Sequence, residues 1–299
     1  MHEDNISFFQ NLLLKEEDQF FDRTEADDSF FYLLGHIDQA GKLVSTRNSL
    51  CKRIRFFSCE FTSFPLVTVV PVAVKKALIE MEWFLSKKLL PRPDEIADWW
   101  EGQLSEDGYY LCGYGDQLRR FYGVAGLFDQ IDEAIEQLRG HPYSRRNLIT
   151  TWNPPEMANI TEINDNPKTP ANCHLTMVQF FVDPDGSLHV NSYQRSGDCL
   201  AGVKHNWVQH WALFAWMAHR AGLKIGSMTW IGGDLHIYQE ESHIRVANAV
   251  IDGYPNRVNT VRPQLIYTPT SEDFKASDFA VEWPCEKPET LTKERVKLI

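Results

Sequence analysis

Cys173 lies in Pro170-Ala171-Asn172-Cys173-His174, where a Pro/Asn-rich loop runs into a strand-like segment. A side chain at such a junction is held by the strand yet reachable, which suits a nucleophile. A free thiol titrates near ~8.5, so it attacks as a thiolate only where cations or hydrogen bonds support the charge. The bland reading is a buried cysteine acting as a small hydrophobe, and this residue taken alone leaves both open. Arginines occur at two strand ends, in Ser144-Arg145-Arg146 and in Tyr193-Gln194-Arg195-Ser196-Gly197-Asp198. Guanidinium forks match phosphate oxygens bidentately, so these groups are either a phosphate clamp or solvated surface charge. Gly232-Gly233-Asp234-Leu235-His236-Ile237-Tyr238 places His236 and Tyr238 on one face of a strand, as sugar-hydroxyl contacts or as structural residues. The histidines show no HExxH or zinc-type spacing, and the chain has no Walker loop or GxGxxG, so no metal is expected.

The elements that must position these residues read as a mixture. Apolar positions Val74, Ala77, Leu78, Met81 and Leu85 give helical periodicity between Val72 and Leu90, with Glu80 and Glu82 beside Trp83. Leu127, Phe128, Ile131, Ala134, Ile135 and Leu138 make an amphipathic helix stopped by Gly140. A third helix runs from about Asn206 to Arg220, apolar on most faces and therefore expected in the core, with Gly222 as its C-cap. Residues 146–152, 175–182, 188–194 and 261–267 have strand character, and Asp183-Pro184-Asp185-Gly186 turns the middle two into a hairpin. With no βαβ rhythm, the expected class is α+β: helices packed on a largely antiparallel or mixed sheet.

Composition bounds the partners. The 299 residues carry 30 Lys plus Arg against 41 Asp plus Glu, a net charge of −11, which argues against broad capture of DNA or of an anionic membrane. The scattered cysteines Cys51, Cys59, Cys112, Cys173, Cys199 and Cys285 form no CxxC pair and read as reduced thiols. No apolar run approaches the ~20 residues of a membrane helix, and the N-terminus is acidic where a signal peptide would be basic. A soluble, cytoplasmic protein is the expectation. Residues 1–28 read as an acidic N-terminal extension and 29–299 as a single domain.

In order and separation, Ser144-Arg145-Arg146, the Cys173-His174 segment, Tyr193-Gln194-Arg195-Ser196-x-Asp198, Gly202-x-x-x-Asn206 and the 232–238 strand resemble the thymidylate synthase family, from about Arg47 to Ile299. The resemblance implies a mixed sheet with packed helices, a homodimer, a pyrimidine nucleoside monophosphate substrate and 5,10-methylenetetrahydrofolate as one-carbon donor. By position, Cys173 matches the nucleophile that adds to C6 of the pyrimidine. Arg47, Arg145, Arg146 and Arg195 match the phosphate-binding arginines, Arg145 and Arg146 being contributed by the second copy. Ser196 matches a further phosphate contact, Asp198 the contact to the folate pterin, and His236 and Tyr238 the sugar 3′-hydroxyl contacts. Tyr114 matches a residue assisting proton removal at C5, and Glu80 the glutamate that organises water and proton transfer. Ala97 and Trp100 fall in the segment that faces the folate.

Asn206 matches the asparagine that reads the pyrimidine edge, its amide offering a donor to O4 and an acceptor to N3–H. That pattern fits uracil; the dCMP hydroxymethylase of T-even phage carries an aspartate there, and a mismatch in a buried site costs ~1–3 kcal/mol. Two departures bear on the product. Glu80-Met81-Glu82-Trp83-Phe84-Leu85-Ser86-Lys87-Lys88-Leu89 is similar to the phage hydroxymethylase pattern, and Ala97 stands where synthases carry a tryptophan. A methyl group beside Glu80 and Glu82 leaves room for an activated water. The expectation is therefore C5-hydroxymethylation of dUMP by a phage-like enzyme that makes a modified DNA precursor, acting in a bacterial or phage-infected host cytoplasm. Thymidylate synthesis is the alternative. Hydroxymethylation of dCMP or CMP, and a non-enzymatic nucleotide- or RNA-binding regulator, rank below.

Overall fold

The computed structural model describes residues 24–45, 49–101, 104, 108–110, 113–123, 126–155, 172–257 and 261–296. Its organising strand is β9 (Lys224–Tyr238), long enough for two shorter strands to share one of its edges: β3 (Phe57–Phe61) pairs with 228–232 and β2 (Leu50–Ile54) with 235–238. β1 (Lys42–Ser45) extends β2 outward. On the other edge lie β8 (Ser187–Asp198), β7 (Met177–Val182) and β6 (Leu148–Thr150), completing a seven-stranded sheet. Only β8 and β9 run parallel; every other pair is antiparallel. Two ribbons stand apart, β4 (Phe121–Gly123) with β5 (Gly126–Phe128) and β10 (Gln264–Tyr267) with β11 (Phe279–Glu282).

A parallel pair needs a crossover, and α5 (Lys204–Ala221) supplies it between β8 and β9. Its side chains from Asn206 to Ala218 are all buried, as expected of a helix apolar on most faces. Gly222 ends it at φ +72°, a conformation a Cβ would disfavour. Trp207 packs its ring against Phe61 at 4.9 Å, Trp230 at 5.5 Å and Phe30 at 6.3 Å, tying α5 to the sheet and to α1 (Glu25–Ala40).

α1 runs through the boundary expected at residue 28. Thr24 caps it, Glu25, Asp27 and Asp28 occupy its first turn where negative charge favours the helix dipole, and Phe30, Leu33, Leu34 and Ile37 are buried. Glu25, Asp27 and Asp28, which read as the end of an appendage, are the start of this helix, and residues 1–23 of that expectation lie outside the described residues. Inside the helix, the buried Asp27 carboxylate accepts from the Thr68 amide and hydroxyl, both at 2.6 Å.

The remaining elements follow the sequence reading with shifted ends. The 72–90 periodicity becomes α2 (Val74–Phe84). The helix expected from Leu127 is α4 (Gln130–Gly140), capped by Asp129, while Leu127 and Phe128 are in β5. α3 (Tyr114–Arg119) and α6 (Glu241–Gly253) complete the helices used below. The 183–186 hairpin turn is present, with Gly186 at φ +82°. The class is α+β with a mixed sheet, and no helix among the described residues is long and apolar enough to cross a membrane. Trp207→Ala should lower stability by about 3–5 kcal/mol, read as a fall in the urea midpoint, with Trp207→Phe costing clearly less.

Candidate active site

Cys173 sits just before β7, in a turn fixed from several sides. Leu175 adopts φ +49°, a left-handed conformation that costs a branched side chain about 1–3 kcal/mol and persists only where its surroundings hold it. The hydroxyl of Thr151 donates to the Leu175 carbonyl at 3.0 Å, and that of Thr150 to the Thr176 carbonyl at 2.6 Å. The Arg195 amide donates to the Cys173 carbonyl at 3.0 Å. Asn172, fully buried, accepts from the Tyr110 hydroxyl at 2.7 Å and donates to the Thr151 carbonyl at 3.0 Å.

Tyr114, at the start of α3, closes this turn. Its phenol oxygen accepts from the Cys173 amide at 2.8 Å and the His174 amide at 3.2 Å. Both lone pairs are thereby used, which leaves its own proton for the Cys173 Sγ at 3.4 Å. Burial, with Cys173 and Tyr110 beside it, pushes the phenol well above its ordinary value, so it stays protonated.

The sulfur opens on a cavity of about 400 Å³, within the range of small-molecule sites. Glu80 of α2 lines the same cavity, buried, with Oε1 accepting from Trp100 Nε1 at 2.5 Å and Oε2 from Gln209 Nε2 at 2.6 Å. Burial pushes this carboxyl up to about 7 against the pull of those two donors. Asp198, the last residue of β8, is buried as well, yet is held below the usual carboxylate range. Burial opposes that, and His243 at 3.1 Å and the Leu200 and Ala201 amides at 2.9 and 3.1 Å outweigh it. Asn206 is buried on the cavity wall, and its side-chain amide bonds none of the described residues, which leaves donor and acceptor for a ligand.

His205 and His210 have definite jobs. His205 Nε2 accepts from the Ala73 amide at 3.1 Å, so Nδ1 carries the proton donated to the Ala201 carbonyl at 2.7 Å, and the ring lies 4.8 Å from Trp99. His210 links Ser192 at 3.0 Å to His174 at 3.2 Å, beneath the cysteine turn.

Two expectations about the wall change. Ala97 does not line the cavity; Asp98, Trp99 and Trp100 do, because the short helix Asp94–Trp99 turns the alanine aside. Glu82 is not beside Glu80, since positions two apart on a helix face different ways. Its carboxylate accepts from the Ala276 amide at 2.8 Å and pairs with Lys275 at 3.4 Å.

Among the expected phosphate residues, Arg195 is half-buried beside the cysteine turn, with Nε donating to the Asn172 carbonyl at 2.8 Å and its guanidinium 5.2 Å from the Trp152 ring. Arg145 and Arg146 are exposed, and Arg47 lies outside the described residues. Ser196, His236 and Tyr238 are half-buried and stand outside the cavity wall; His236 Nδ1 meets Asp234 at 3.3 Å, and Asp234 pairs with Arg53 at 2.6 Å.

The family model described as Thymidylate synthase matches residues 34–289. The chain belongs to the thymidylate synthase family. A thymidylate synthase of Corynebacterium aurimucosum is 34% identical over 212 residues, covering 68% of this chain and 71% of the relative. One from Rhodopseudomonas palustris is 32% identical over 278 residues, covering 82% and 88%. One from Vesicomyosocius okutanii subsp. Calyptogena okutanii is 30% identical over 232 residues, covering 75% and 83%.

Within this family frame, sequence reasoning missed Gln209, His243 and the Thr150-Thr151 pair. The available signal was a polar side chain inside an otherwise apolar helix or strand, as with Gln209 and His210 in α5. The buried imidazoles also set an acid limit. Burial lowers His174 to about 3 and His210 well below 6.5, whereas both titrate near 6.5 when unfolded. Below about 6.5 these two histidines take up protons only in the unfolded chain, which outweighs the single proton that Glu80 holds in the folded state, so stability falls as the pH falls through that window. The urea midpoint should be lower at pH 5 than at pH 7, and His210→Gln should flatten the decline.

Proposed function

We propose that this chain transfers a one-carbon unit from methylenetetrahydrofolate to C5 of a uridylate nucleotide through an adduct between Cys173 and ring carbon C6, and releases thymidylate. The observation that carries the reading is the convergence of Cys173, Glu80, Asn206 and Asp198 on one cavity. Asn206 can donate to O4 and accept from N3–H, which selects uracil over cytosine. Arg195 grips the phosphate beside the cysteine, and the exposed Arg145 and Arg146 serve the site of a second copy in a homodimer.

The chemistry divides among these residues. Cys173 Sγ adds to C6, which makes C5 a carbon nucleophile toward the folate methylene. The C5 proton then leaves to a water molecule in the cavity, while Tyr114 holds the cysteine turn from which the sulfur reaches C6. Glu80, poised near neutrality, passes protons at the pyrimidine carbonyl side. Asp198 stays ionised and can hold the pterin by its N–H groups. The aromatic wall of Trp99, Trp100 and Tyr110 suits the flat folate ring and excludes water. Departure of the folate nitrogen leaves a C5 methylene; hydride from tetrahydrofolate then gives methyl and dihydrofolate, and loss of the sulfur from C6 frees the product.

The relatives' names favour methylation, and the tryptophans on the wall fit it. Hydroxymethylation is the second reading, resting on the likeness of residues 80–89 to the phage hydroxymethylase pattern. There, water adds to the same C5 methylene, giving hydroxymethyl-dUMP and tetrahydrofolate.

The test is incubation of the protein with C5-tritiated dUMP and methylenetetrahydrofolate, followed by mass spectrometry. Thymidylate and stoichiometric dihydrofolate are expected; a hydroxymethyl nucleotide with tetrahydrofolate would replace the first reading by the second. Cys173→Ser should cut tritium release by about a thousandfold or more. Wild-type release no greater than background would overturn both readings and leave a nucleotide-binding protein.

A further inference from the structure

Gln209 bridges the two helices that build the acid–base wall. It lies fully buried on α5, one turn after Asn206, and its Nε2 donates both to Glu80 Oε2 at 2.6 Å and to the Ala77 carbonyl of α2 at 3.1 Å. Two acceptors on one side fix the orientation of the amide, because flipping it would set oxygen against oxygen. Its own Oε1 is buried with no hydrogen-bond partner among the described residues. An amide with half its capacity unmet is a poor choice for packing alone; a methionine or leucine would fill the place without that desolvation penalty. We propose that Gln209 is a positioning residue that holds the Glu80 carboxylate against the cavity wall, opposite the indole of Trp100. The inference rests on the reading of Glu80 as the acid–base group of the site.

The donor acts on the charged form of Glu80, so its loss should raise the carboxyl further above the value of about 7 that burial already sets. None of the other charged or titratable groups around the cavity acts on Glu80; in the C-terminal segment, Glu294 pairs with Arg245 and Arg295 acts on His205. From α2 and the 94–99 turn, Lys76 pairs with Asp98; from α3, Tyr114 is bound to the cysteine turn. At the start of α5 and in the turn before it, Asp198 pairs with His243, Lys204 donates to the Leu200 and Ala201 carbonyls, and His205 is neutral. Burial keeps His174 neutral too. Trp100 and Gln209 are thus the groups that act on Glu80 directly.

The test uses Gln209→Met, which keeps the volume and removes the donor. In full-length protein labelled with carboxyl-13C glutamate, the Glu80 signal, assigned by its absence in Glu80→Gln, should titrate about one pH unit or more higher than in wild type. The urea midpoint should not fall. Tritium release from C5-labelled dUMP should lose about tenfold in kcat with KM for dUMP changed less than twofold, and its Glu80-dependent inflection should move up by the same amount. Gln209→Asn keeps an amide one methylene too short for both acceptors, so it should reproduce the shift and serves if the Met variant does not fold. An unchanged carboxyl titration in either folded variant would overturn the positioning role. If the titration moves while wild type releases no tritium, the positioning stands and the catalytic reading fails.

Discussion

The site depends on one phenol oxygen. Tyr114 accepts the Cys173 and His174 amides at once, so a residue of α3 fixes the backbone on which the sulfur is carried. That backbone needs holding, because Leu175 is in a left-handed conformation two residues on. The Thr150 and Thr151 hydroxyls donate to the Thr176 and Leu175 carbonyls, and the Arg195 amide donates to the carbonyl of Cys173 itself. Strain of this kind survives only where neighbours over-determine it. The outcome is a half-exposed thiol whose direction is set by groups from α3, β6 and β8 together.

Two buried carboxylates then divide the electrostatic work. Glu80 and Asp198 open on the same cavity and both lie out of water, yet one is raised and the other lowered. The difference is in their donors. Asp198 has an imidazole and the amides of a helical turn, which favour the charge; Glu80 has an indole and an amide side chain, which compensate burial only in part. When environments push two acids apart, one is suited to move protons and the other to remain a fixed negative contact.

How much of this was legible in the sequence follows from range. Cys173, Asn206 and Asp198 stood at element ends that local composition marks, and the 183–186 turn and the α5 pattern read directly because their signals are periodic or dipeptide-like. The ends of α4 did not, since Leu127 and Phe128 continue its apolar stripe while pairing in a ribbon with β4. The start of α1 was hidden by charge, because the acids that favour a helix N-terminus also mimic a solvated tail. Partners such as Gln209 to Glu80 and His243 to Asp198 join residues far apart in the chain, and nothing local announces them.

Under the proposed chemistry, the choice between methyl and hydroxymethyl turns on which side chains stand between water and the C5 carbon. The sequence pattern around Glu82 and Ala97 suggested an opened wall. Helix geometry removes Glu82 from the argument, since it faces the 275–276 segment and pins it. Lys87, in the same pattern, pairs with Asp132 on α4 at 2.5 Å, which anchors α2 to that helix and adds nothing to the cavity. What the alanine gives up in bulk, Trp99 supplies from two positions further on, its ring set against His205 and covered by the Lys76 ammonium at 5.9 Å. A wall rebuilt from a neighbouring residue retains its apolar character. Its tightness, however, now depends on His205 keeping the proton on Nδ1 and on the Ala73 amide that fixes it there. The packing of this wall is thereby tied to that of α2 against the start of α5, the same contact that carries Gln209 to Glu80.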